Sequence, residues 1–94
     1  MLTADLGYSS EDLKNWVFSP NFGGGGLLDV GVYPLSLSHW AFGIPIRILS
    51  MSSIGETGMD EQSAVLLGYE GGRIALIASA VRTQTPHEAY CLEP

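Results

Sequence analysis

The segment from Ile74 to Val81 restricts the fold more than any other, because it is apolar on both sides of a predicted strand. Strand alternation places Ile74, Leu76, Ala78 and Ala80 on one side and Ala75, Ile77 and Val81 on the other. Helices packed on one face of a sheet bury only one of these sides. We therefore expect a second copy of the chain, or another part of the protein, to cover the other side. That side is predicted to hold Ile77, Val81, Val65 and Leu67.

The other predicted elements are helices and further strands. A helix is predicted from Leu27 to Phe42, ending before Gly43. Its packed side is predicted to hold Leu27, Leu28, Val32, Leu35 and Phe42. Pro34 removes a backbone donor from this helix, so we expect a kink or a loosened turn near Val30. A shorter helix is predicted to begin at residues 9–12, and strands are predicted at 1–8, 46–54, 64–69, 73–81 and 87–92.

The connections between these elements indicate the fold class. Short turns such as Glu70-Gly71-Gly72 favour antiparallel neighbours, so the residues after Pro45 predict a meander. One strand followed by helices and then by several strands favours an α+β fold over a doubly wound sheet. The predicted architecture is a mostly antiparallel sheet with helices on one face.

Charge and cysteine content exclude several classes of function. Ten acidic residues against four basic residues give a formal net charge of −6, which disfavours nucleic acid as a partner. Apolar runs fall short of the roughly 20 residues of a membrane helix, so no membrane partner is expected. Cys91 is the single cysteine, which fits a reducing, cytoplasmic compartment. His39 is predicted to be packed and His87 to lie at the surface, and no metal site is predicted.

The glycine run Gly23-Gly24-Gly25-Gly26 precedes the predicted helix. Glycines at a helix start can expose amides to an anion. The run nevertheless lacks the GxGxxG spacing of a dinucleotide site and the GK[ST] of a phosphate-binding loop. Two interpretations stay open. The run is a tight helix entry, or the backbone at Gly25 and Gly26 approaches a bound substrate closely.

Asp29 and Tyr33 are the strongest candidates for chemistry. Residues four apart share one face of a helix, so both side chains can reach one small polar molecule. A phenol becomes a proton acceptor for an alcohol when a neighbouring cation favours its ionised form. Asp29 could then hold a substrate hydroxyl, and Trp40, seven residues after Tyr33, could line the same pocket. The alternative is an acid at a helix start, a packed tyrosine and a core tryptophan.

The segment GGGLLDVGVYPL, residues 24–35, resembles the GGGxLxDxGxYP segment of the glucose–fructose oxidoreductase and inositol dehydrogenase (Gfo/Idh/MocA) family, which includes dihydrodiol dehydrogenases. Further segments resemble the same family in the same order: ADLG at 4–7, FGIP at 42–45, TGMDE at 57–61 and YEGG at 69–72. The resemblance therefore extends along the whole chain. It implies an NAD(P)-dependent dehydrogenase that acts on a sugar, a polyol or a cyclic diol.

The resemblance also implies roles for residues. The residue matching Tyr33 exchanges the hydroxyl proton, and the residue matching Asp29 binds or orients the alcohol. The family's lysine lies in an N-terminal Rossmann domain, and Lys14 matches no such position. We therefore expect residues 1–94 to be a partial C-terminal substrate and oligomerisation domain without its nucleotide-binding domain.

Expectations for function follow from that assignment. The full-length enzyme is expected to use NAD or NADP, whereas this chain alone is expected to bind no cofactor and to be inactive. The resemblance and the two-sided apolar strand both favour a homo-oligomer formed through the sheet face. The alternative is a non-catalytic remnant that serves as an oligomerisation or small-ligand-binding module.

Overall fold

A computed structural model of the protein describes residues 1–10 and 24–91. The described part contains a five-stranded sheet, one α-helix preceded by a π-helical turn, and a short 3-10 turn. The strands are β1 (Leu2–Gly7), β2 (Arg47–Ile54), β3 (Asp60–Gly68), β4 (Ile74–Ala80) and β5 (Ala89–Cys91). The helical segments are the π-helical turn Leu27–Gly31, helix α1 (Val32–Phe42) and the 3-10 turn Glu70–Gly72. The short helix predicted to begin at residues 9–12 lies outside the described residues from position 11 onward.

The sheet has the order β2-β3-β4-β1-β5. Strand β1 runs parallel to β4, and every other pair is antiparallel. The predicted α+β class, with a mostly antiparallel sheet and a helix on one face, is therefore confirmed. The predicted meander is correct for β2, β3 and β4 but wrong for β5, which pairs with β1. The carboxylate of Asp5 in β1 accepts a hydrogen bond from the backbone N–H of His87 at 2.8 Å, which holds the segment before β5 beside the outer edge of β1, and turn patterns do not encode a contact over so long a sequence separation.

Helix α1 covers one face of the sheet and leaves the other open. Its partly buried side chains Leu35, Leu37 and Phe42 pack on a buried cluster formed by Leu2, Ala4, Val65, Leu67, Tyr69, Ala75 and Ile77. The side of β4 that carries Ile77 was predicted to lie away from the helices, and this prediction is wrong. It is the side that helix α1 covers, since Ile77 is only 1% exposed. The open side holds Leu66, Ile74 and Leu76, which are 39–42% exposed. Alternation alone could not choose between two apolar sides.

Small residues lie where the helix meets the covered face. This face includes a row of serines on adjacent strands, Ser52, Ser63 and Ser79. At Gly31, a Cβ atom would lie only 3.0 Å from Oγ of Ser79, so the helical backbone approaches the sheet as closely as a glycine permits.

The π-helical turn changes which helical residues face the sheet. The loosened turn expected near Val30 is confirmed as the π-helical segment Leu27–Gly31. A wider turn shifts the helical phase relative to a regular 100° repeat. Val30, Gly31, Pro34 and Ser38 are therefore the buried helical residues. The prediction that Leu28 packs inward is wrong, because its side chain is 63% exposed.

None of the helices within residues 1–10 and 24–91 has both the length and the apolar character needed to cross a membrane.

Two isoleucines on the covered face test this packing. Ile77 is 1% exposed beneath the helix, whereas Ile48 lies on edge strand β2, beyond the helix, and is 61% exposed. We expect Ile77→Ala to lower the free energy of unfolding by about 2–5 kcal/mol, because it leaves a cavity in the core. The matched change Ile48→Ala should cost less than about 1 kcal/mol. Urea unfolding of both variants measures the difference, and equal losses would contradict the assigned core.

Candidate functional site

The carboxylate of Asp29 is held against the end of β1. Asp29 lies in the π-helical turn, where its backbone N–H donates to the carbonyl oxygen of Gly25 at 3.0 Å. The phenol of Tyr8, the residue directly after β1, donates to Oδ2 of Asp29 at 2.7 Å. The carboxylate is therefore half-buried and fixed on one of its two oxygens. Tyr8 was not predicted as a site residue, because a tyrosine just after a strand carries no motif of its own.

Tyr33 lies one helical turn after Asp29 and has a different environment. Its side chain is 64% exposed and lines a groove of about 210 Å³ between α1 and the outer edge of the sheet. The other residues of the groove are Ala4, Asp5, Leu6, Pro34, Leu37, His87, Glu88 and Ala89. Within the described ranges, no hydrogen bond joins the phenol of Tyr33 to another side chain, so it stays available to a ligand.

The outer wall of this groove is anchored by Asp5. Burial by itself would raise the pKa of the Asp5 carboxyl, but hydrogen bonds from the backbone N–H groups of His87 and Glu88 contribute to lowering it below its ordinary value. The ring of His87 also contacts the carbonyl oxygen of Gly7. His87 is exposed, as predicted. Ionised Asp5 therefore keeps the segment before β5 against β1, next to Tyr33.

Gly25 and Gly26 are packed against Asp60 at the start of β3. Oδ2 of Asp60 accepts a hydrogen bond from the backbone N–H of Leu27 at 2.7 Å. A Cβ atom on Gly25 would overlap Oδ1 of Asp60, and one on Gly26 would lie 3.3 Å from its carbonyl oxygen. The carboxylate thus occupies the place where an anion would meet the helix start. The tight-entry interpretation of the glycine run accounts for these contacts, and the predicted substrate contact of the two glycines stays a prediction.

Asp60 was missed as a helix-capping residue. Its link to Leu27 joins segments far apart in the sequence, so no local spacing could reveal it. The acid in the TGMDE segment was the available signal.

The remaining predicted candidates lie at the surface. Trp40 is 84% exposed near the end of α1, so it is not a core residue, and its predicted substrate contact stays a prediction. The prediction that His39 is packed is wrong, because its side chain is exposed and Nδ1 contacts the carbonyl oxygen of Gly43 at 3.1 Å. Cys91 is exposed on edge strand β5. In the part of the chain that the structure describes, no cluster of acidic, histidine or cysteine side chains could hold a metal.

Comparison with known proteins decides the family. The profile of the GFO/IDH/MocA C-terminal domain matches residues 1–92. The chain belongs to the GFO/IDH/MocA oxidoreductase family. The resemblance inferred from the GGGLLDVGVYPL segment is thereby confirmed, and the GFO/IDH/MocA fold places that segment at the helix entry above β1.

Several oxidoreductases are similar to this GFO/IDH/MocA chain. Mouse trans-1,2-dihydrobenzene-1,2-diol dehydrogenase is 38% identical over 72 residues, which cover 74% of this chain and 22% of that protein. The dTDP-3,4-didehydro-2,6-dideoxy-alpha-D-glucose 3-reductase of Saccharopolyspora spinosa is 43% identical over 61 residues, which cover 62% of this chain and 18% of that protein. The NADP(+) scyllo-inositol 2-dehydrogenase of Bacillus subtilis is 30% identical over 66 residues, which cover 70% of this chain and 20% of that protein.

The chain spans about a fifth of the length of these curated relatives. A solved structure supports the fold of the GFO/IDH/MocA domain. The aldose-aldose oxidoreductase of Caulobacter crescentus, complexed with glycerol, superimposes with a TM-score of 0.79 at 23% identity, covering 88% of this chain and 27% of that one. At this identity the likeness shows the architecture alone.

The contact between Gly25 and Asp60 is tested by two alanine substitutions. Both Gly25 and Gly58 have positive φ, at +108° and +87°, but a Cβ atom on Gly58 meets nothing within 4 Å. Gly58→Ala should therefore cost only the backbone strain, about 1–3 kcal/mol. Gly25→Ala should cost clearly more, because it also displaces the Asp60 carboxylate from the helix start. Thermal unfolding measures both, and equal costs would contradict the capping role of Asp60.

Proposed function

We propose that this domain binds and orients the substrate of an NAD(P)-dependent oxidoreductase that acts on a hydroxyl group of a sugar, a polyol or a cyclic diol. The observation that carries the proposal is the carboxylate of Asp29, fixed by Tyr8 one helical turn before the exposed phenol of Tyr33. In this proposal Asp29 accepts a hydrogen bond from the substrate, and Tyr33 exchanges the hydroxyl proton. The names of the relatives, a diol dehydrogenase and an inositol dehydrogenase among them, support this class of substrate.

The proton-exchange role of Tyr33 requires a cation close to its phenol. An unassisted phenol has a pKa near 10 and is a poor base at neutral pH. Among the residues that line the described groove, none is lysine or arginine. The chain's single lysine, Lys14, lies outside the described residues. By resemblance to the family, the cation would come from the nucleotide-binding domain.

The cofactor would also be held elsewhere. The family resemblance implies NAD or NADP, which accepts a hydride from an alcohol. The described residues do not fit its pyrophosphate, because the Leu27 amide at the start of the helical segment is already bonded to Asp60. A pyrophosphate at that place would be repelled by the negative charge of Asp60. The residues described here supply the substrate side of the proposed site.

The proposed function is tested on the product of the complete reading frame that contains these residues. We expect NAD⁺- or NADP⁺-dependent oxidation of cyclic diols, inositols or aldoses, followed at 340 nm. Asp29→Asn and Tyr33→Phe should each lower kcat/KM about 100-fold or more, because proton transfer and orientation depend on them. Trp40→Ala should raise the KM of the substrate. Tyr69→Phe is the control, since the Tyr69 phenol is buried in the core and has no hydrogen-bond partner among the described residues.

Two results would contradict this proposal. One is a reading frame that begins at Met1, with no upstream strand, GxGxxG segment and helix. The other is an active enzyme that tolerates both Asp29→Asn and Tyr33→Phe. Either result would favour the non-catalytic module instead.

The open face of the sheet is proposed to mediate self-association. One row of side chains crosses all five strands on this face, in the order Leu49, Leu66, Leu76, Thr3 and Tyr90. A second row adds Met51, Ala64 and Ala78. Each large apolar side chain that moves from water to an interface contributes roughly 1.5–3 kcal/mol when fully buried. Because a symmetric pair buries both copies of the face at once, a homodimer is the proposed assembly.

A charge on the open face tests the proposed dimer. We expect Leu76→Asp to give a monomer in sedimentation at micromolar concentration, because the aspartate would be buried without a partner. Ile44→Asp is the matched control, since Ile44 is 79% exposed in the connection between α1 and β2. Ile77→Asp is unsuitable, because it places a charge in the core and should unfold the chain. A monodisperse wild-type monomer would contradict the dimer and favour coverage by another domain.

A further inference from the structure

The phenol of Tyr8 is fixed in place by the core. Its ring packs on the small buried cluster of Val30 and Val81, together with Leu6. Its backbone N–H donates to the carbonyl oxygen of Ala80 at 3.1 Å, which extends the pairing of β1 with β4 by one residue. The phenol therefore reaches Asp29 from a position that is set by the sheet rather than by a flexible loop.

Tyr8 acts as a hydrogen-bond donor and not as a second base. Burial, the hydrogen bond to Asp29 and the negative charge of that carboxylate raise the pKa of Tyr8 to about 12. The phenol therefore keeps its proton at neutral pH. The two tyrosines therefore differ. Tyr33 is exposed, whereas the phenol of Tyr8 donates its hydrogen bond to the carboxylate of Asp29.

The bond from Tyr8 also distinguishes the two oxygens of Asp29. Oδ2 accepts the phenol proton at 2.7 Å. No other hydrogen bond from the described side chains reaches the carboxylate, so Oδ1 keeps its acceptor capacity. A bond at one oxygen restricts the rotation of the carboxylate, because a large rotation would break that bond. The direction in which Oδ1 points is thereby restricted.

We propose that Tyr8 is a positioning residue that holds Oδ2 of Asp29 so that Oδ1 accepts a hydroxyl proton of the substrate. This inference rests on the proposed function, because it assigns the substrate to one oxygen of the same carboxylate. With a vicinal cyclic diol as substrate, one hydroxyl would donate to Oδ1 while its neighbour exchanges its proton with Tyr33.

The hydrogen bond itself is tested on the 94-residue chain, independently of activity. In a sample labelled with ¹³C at the tyrosine Cζ position, the Tyr8 signal should titrate near pH 12. Asp29→Asn should lower that midpoint, because it replaces the charged acceptor with a neutral amide and so removes the effect of the negative charge on the phenol. Tyr90→Phe should leave the midpoint unchanged, although it too removes a bond between a phenol and a carboxylate. The inference would be overturned if the titration midpoint of Tyr8 were the same in the wild-type chain and in the Asp29→Asn variant.

The positioning role is tested in the enzyme encoded by the complete reading frame, with trans-cyclohexane-1,2-diol as the probe. Tyr8→Phe should raise the KM of the diol about tenfold, the effect of losing one oriented hydrogen bond to a charged group, without changing the KM of the dinucleotide. A loss of folded enzyme would lower kcat alone. Tyr69→Phe should change neither constant, because the Tyr69 phenol is buried in the core and has no hydrogen-bond partner among the described residues.

The outcomes separate the inference from the proposed function. If Asp29→Asn lowers kcat/KM but Tyr8→Phe leaves the KM of the diol unchanged, the positioning role is wrong and the proposed function stands. If Asp29→Asn has no effect, or the enzyme has no activity on alcohols, the proposed function fails and the inference fails with it. If the Tyr8→Phe variant does not fold, the inference is decided by the Tyr8 titration in the Asp29→Asn chain.

Discussion

The parallel pairing of β1 with β4 is the constraint on which the site depends. It places the first strand of the chain at the interior of a sheet whose other pairs are antiparallel. The strand ends under the helix entry, so the residue that follows it, Tyr8, meets Asp29. The same pairing leaves the outer edge of β1 free for β5, and Asp5 fixes the intervening segment beside Tyr33. One strand pairing thus brings the three parts of the site together.

Local signals in the sequence predicted most elements of the fold. Alternation and turn residues located the strands, and Pro34 indicated a disturbed turn near Val30. These features are local, because each depends on residues within one element or turn. The GGGLLDVGVYPL segment likewise indicated the family, since its order of residues is specific. Asp29 and Tyr33 were named from their four-residue spacing on a predicted helix and from this segment, and Tyr33 is exposed.

Long-range contacts account for what the sequence could not predict. Both sides of β4 are apolar, and the covered side is the one on which the helix packs, with Gly31 meeting Ser79 across the helix–sheet interface. The segment before β5 is bonded to Asp5, far away in the chain. The link between Tyr8 and Asp29 and the one between Asp60 and Leu27 also join remote segments. Composition and periodicity contain no information about such pairs.

The packing of Gly25 on Asp60 has a consequence for how this chain can be altered. The acid needs a neighbour without a side chain, and the glycine's positive φ leaves a helix start that the acid completes. A side chain at position 25 would overlap the carboxylate, and loss of that carboxylate would leave the Leu27 amide without its acceptor. The two positions are therefore expected to tolerate substitution only as a pair.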